Sequence, residues 1–216
     1  AGRIRSRGMR PYDAGHIASA TTQPRWHHRM NELAPRSAVP LAYYLFAHLS
    51  LAGGLLVLVV DPALPGTSFY HPRFVSLVHL LTIPWLTGSI LGSLYIVAPL
   101  ALRVAMPVSR RDWIAFGSFV FGTTGMIAHF WIGTYDGMAW SAGFVLGAVV
   151  WVGARVWRGL GTSPAPAAVG LHVRLAFVNM AAAVTLGILI GFDRTRGFLG
   201  ISPLAAMFAH AHLAAV

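Results

Sequence analysis

Val39–Val60 reads VPLAYYLFAHLSLAGGLLVLVV, 22 residues without an acidic or strongly basic side chain. A bilayer's hydrocarbon core takes roughly 20 apolar residues in helical form, so this run is long enough to cross one. Similar runs follow at Phe74–Leu102, Trp113–Thr134, Met138–Trp157 and Leu175–Phe192, with a shorter one at Ser202–Val216. The pattern predicts an all-α, polytopic transmembrane helix bundle of about six spans over residues 39–216, preceded by a basic arm at 1–38. The sixth run has only 15 residues before the sequence stops, so the expectation is a piece of a longer protein.

The composition agrees with this reading. Hydrophobic residues make up 56% of the 216, charged residues only 10%, and the mean hydropathy is +0.64. With no cysteine, disulfides, thiolate metal sites and haem bound through thioethers are excluded. The net charge of +10 is due to arginine, because lysine is absent. The arginines cluster between the apolar runs, which is a signature of membrane topology, and no nucleic-acid partner is expected.

Ala1–Arg36 carries seven arginines and lacks the apolar core of a signal peptide. Three more arginines lie at 103, 110 and 111, and three at 155, 158 and 174; the other side has only Arg73, Arg194 and Arg196. Thirteen against three places the N-terminus in the cytoplasm. The expected location is the bacterial inner membrane, with several passes through it. Pro84 predicts a kink in the long second run. Three glycine pairs spaced by four (Gly88 and Gly92, Gly143 and Gly147, Gly187 and Gly191) predict close helix packing.

The histidines carry the chemistry. A neutral imidazole in hydrocarbon needs a polar partner. Topology places His79, His129, His210 and His212 in the outer half of the membrane, on three spans. Each helical residue turns the chain by about 100°, so the rings of His210 and His212 face opposite flanks and suit two sites better than one tetrahedral ion. All six acidic residues (Asp13, Glu32, Asp61, Asp112, Asp136 and Asp193) fall in the arm, in connections or near span ends. A proton-driven transporter would be expected to bury a carboxylate. Neutral imidazoles in apolar surroundings fit haem iron.

Two segments carry a resemblance. Ser76–Tyr95, with His79, and Phe208–Leu213, with His210-Ala211-His212, resemble subunit I of the heme-copper oxidase superfamily, which covers cbb-type oxidases, nitric oxide reductases and NnrS-like proteins. The resemblance implies a non-covalent b-type haem held by His79 and His212, with His210 facing a second haem. It implies electron transfer or a part in a terminal reductase, alongside other membrane subunits or a redox partner. His129 has no counterpart in the pattern and is kept as a weaker metal candidate. Copper is left open by the resemblance, but no span offers the histidine pair it needs. Ser76 and Ala209, each three residues before a proposed ligand, are expected to leave room for the macrocycle edge. A structural membrane subunit without cofactor, and a transporter using the histidines as a relay, are the other readings of the same residues.

Overall fold

The computed structural model describes residues 38–215, and among these every regular element is helical. Helix α1 spans Ala38–Val60, α2 Pro72–Ala101, α3 Arg110–Trp131, α4 Tyr135–Leu160, α5 Ala167–Arg196 and α6 Pro203–Ala215. A single 3-10 turn, Leu64–Gly66, sits between α1 and α2. Five of the helices, α1 to α5, are long and apolar enough to cross a membrane. The expected sixth span is a helix of 13 described residues, short of the roughly 20 that a crossing takes. Of the expected arm at 1–38, only Ala38 lies within the described residues.

Local chemistry sets the helix ends. Ser109 and Asp112 form a reciprocal capping box that starts α3, the Asp112 carboxylate accepting from the Ser109 backbone N–H at 2.7 Å. The α3–α4 turn is closed in three residues because Gly133 takes a positive φ of 73°. Pro166 precedes the first residue of α5, so that helix begins at Ala167, eight residues before the expected Leu175. The Pro84 kink takes the form of a π-helical segment, Leu81–Thr87, inside α2. Proline has no N–H to donate, and a wider turn absorbs the lost bond. Thr87 Oγ donates to Thr82 O at 3.1 Å within it.

Helix α4 is the centre of the bundle: half of its apolar window is buried, against 11% for α5. Its Val145, Val149, Val152 and Val156 meet Phe119 of α3, Leu91 and Tyr95 of α2 and Phe177 of α5. Two of the three glycine pairs serve packing as expected. A Cβ on Gly92 would lie 2.9 Å from Tyr43 Cβ, and one on Gly88 3.2 Å from the Phe119 ring. Gly187 and Gly191 are likewise covered, by His210 and Met138. Gly143 and Gly147 face open space, so their spacing marks no helix contact within the described residues.

Candidate functional site

The bundle brings together two of the four candidate histidines. His79 of α2 and His210 of α6 lie with ring centroids 6.2 Å apart and planes inclined by only 16°. The i, i+2 relation explains which member of the triplet takes part. His210 turns inward, and His212, on the other flank of α6, is exposed. The pair that meets is therefore His79 with His210, where the resemblance implied His79 with His212.

Both rings are fixed by backbone. His79 Nδ1 lies 2.8 Å from Val75 O, one turn back on its own helix. His48 and His172 bond their own helices in the same way, so this contact alone is ordinary. His210 Nδ1 reaches across to Ala183 O of α5, at 2.8 Å. Carbonyl oxygens only accept, so Nδ1 carries the proton in both rings and the lone pair is at Nε2. A histidine that binds a metal through Nε2 has that tautomer, its Nδ1–H given to a carbonyl, a carboxylate or water. Phe130 of α3 packs on His79 with centroids 4.6 Å apart. This contact was not anticipated from the sequence.

His129 stands apart. Its Nδ1 bonds Thr134 Oγ at 2.6 Å, and its ring lies against Gly137 at the start of α4. That arrangement closes the α3–α4 turn. Ser76, expected to leave space beside His79, is buried and donates to Ile127 O at 3.0 Å, locking α2 onto α3. Its hydroxyl is needed for helix packing because an unpaired polar group at membrane depth is costly.

Which group fits two anchored imidazoles follows from ligand number. Among the described residues, no three His, Asp or Glu side chains gather as a metal-binding group. A bare zinc or copper ion takes three or four protein ligands, whereas haem iron carries four nitrogens of its own and asks for one or two axial ones. With metal–nitrogen bonds of about 2 Å and each ring centre about 1 Å further back, two imidazoles on one ion have centres roughly 6 Å apart. The 6.2 Å between the two centroids equals that spacing for rings whose Nε2 atoms point at one another.

A second polar cluster lies at the other end of the bundle. Asp112 is fully buried and accepts from Tyr95 Oη (2.9 Å), Trp151 Nε1 (3.2 Å), Ser109 N and Oγ, and the Arg155 guanidinium. Arg155 also donates to Pro107 O at 2.8 Å. With so many donors the carboxylate has no capacity left for a ligand, and it joins α2, α3, α4 and the loop before α3. The Ser109-x-x-Asp112 pattern and an arginine inside an apolar helix were the signals for it in the sequence. Comparisons with family models, characterised proteins and solved structures gave no match for this chain.

Proposed function

We propose that the chain is a multi-pass membrane protein that holds one b-type haem between His79 and His210 and passes electrons, on its own or as part of a terminal reductase. The observation that carries this reading is the pair itself: two near-parallel imidazoles at 6.2 Å, each with Nδ1 on a backbone carbonyl. Bound haem supplies reversible one-electron chemistry; the protein's part is to fix both rings, set their tautomer and exclude water. The excess of arginines on one side supports a cytoplasmic N-terminus, and a bacterial inner membrane is the location proposed with this reading. Further membrane subunits or a redox partner would complete the electron path.

The resemblance offers a different pairing, His79 with His212, and the exposed position of His212 speaks against it. A cofactor-free structural role is the second reading, favoured by the bond from His210 to Ala183 O, which by itself satisfies a packing histidine. A dithionite-reduced minus oxidised spectrum of the purified, haem-supplied protein separates them. Sharp α and β bands with a stoichiometric pyridine haemochrome are expected, and a featureless spectrum would favour the structural role.

A further inference from the structure

A largely apolar groove of ≈ 370 Å³ is lined by residues of α1 and α3 and by Leu80 of α2. Phe46, Leu80, Ile127, Ala128 and Trp131 line it, and neither His79 nor His210 does. In a bilayer such a recess is filled by hydrocarbon, because leaving it empty forfeits dispersion contacts along its whole lining. Charge at one end distinguishes it from ordinary lipid-facing surface. Trp131 is the last residue of α3, and the Arg73 guanidinium lies over its ring, 5.3 Å from the centroid. The ion pairs among the described residues join Arg155 to Asp112 and Arg196 to Asp136, and Arg73 is in neither.

We propose that this groove binds one anionic phospholipid, an acyl chain along α3 and the phosphate on Arg73. Tryptophan at a helix end marks the headgroup level. Its ring face holds a cation there, and a guanidinium matches phosphate oxygens with two parallel donors. A neutral isoprenoid would fill the groove equally well but offer Arg73 no phosphate. The chemistry therefore selects for an anionic headgroup.

Native mass spectrometry of the full chain, titrated with phosphatidylglycerol or phosphatidylcholine of identical chains, tests the site. One phosphatidylglycerol per chain is expected, favoured over phosphatidylcholine by about fivefold, the effect of roughly one exposed charge pair. Arg73→Gln should bring the two lipids to parity. Arg110→Gln, an exposed arginine at the opposite end of α3, should leave the preference intact. Ala128→Trp should lower the occupancy of both lipids by filling the groove, and inorganic phosphate should not displace the bound lipid. A preference that survives Arg73→Gln, an equal loss in Arg110→Gln, or stronger binding of an isoprenoid quinone would overturn the proposal.

Discussion

His210 rests on Gly187: a Cβ built at that glycine would stand 2.9 Å from His210 Cε1. The absence of a side chain at 187 is what lets the ring reach Ala183 O in the turn before it. The glycine therefore acts at the site as well as in helix packing.

Gly187→Ala tests this directly. A methyl group in a helix interior gains up to about 1 kcal/mol in propensity, and the broken hydrogen bond costs a similar amount. The two nearly cancel, so the melting temperature should change little. Haem retention during gel filtration should fall, because His210 loses the anchor that sets its tautomer. Unchanged retention would mean that the ring is not held from α5.

Two buried tyrosines should respond differently to removal of their hydroxyls. Tyr43 Oη is buried with no hydrogen-bond partner among the described residues, whereas Tyr95 Oη donates to Asp112. Tyr43→Phe relieves an unsatisfied group and is expected to be neutral or stabilising. Tyr95→Phe strips a donor from a buried carboxylate and should cost roughly 1.5–3 kcal/mol. Thermal unfolding in one detergent gives both values, and equal effects would contradict the assigned bonding.

Asp112→Asn should be more severe. It leaves the Arg155 charge without its partner and turns an amide toward the Ser109 donors, a loss of roughly 3 kcal/mol. Asp112→Asn combined with Arg155→Met should recover part of that loss. A double variant less stable than the single one would show that Arg155 is held elsewhere.

His129→Gln is expected to preserve any haem spectrum and to cost about 1 kcal/mol, since an amide can replace the single bond to Thr134. Disappearance of a chromophore in this variant would make His129 a ligand.

Five long apolar helices were legible because membrane burial needs unbroken hydrophobic runs, and Val39–Val60 differs from helix α1 by one residue, whereas the expected sixth span is a helix of 13 described residues. Ends fixed by local chemistry were harder to read. The start of α5 depends on Pro166, and Arg174, expected in a loop, lies inside that helix with its guanidinium over Trp157, 5.5 Å away. At the site, helical periodicity alone required His210 and His212 to diverge, and they do. Which of them meets His79 depends on the rotation of α6 against α5, set by Gly187 and Ala183, and no pattern within α6 encodes it. Phe130 was missed for a similar reason: its contact with His79 arises between α2 and α3, where an aromatic residue reads as ordinary lipid-facing bulk.

The haem assignment is tested most directly by reduced minus oxidised spectra of His79→Ala, His210→Ala and His212→Ala, each purified at equal haem supply and checked for folding by gel filtration. The account predicts that the His79 and His210 variants lose the bis-imidazole bands while the His212 variant keeps them. Loss of the bands in His212→Ala with retention in His210→Ala would contradict it and restore the pairing implied by the resemblance.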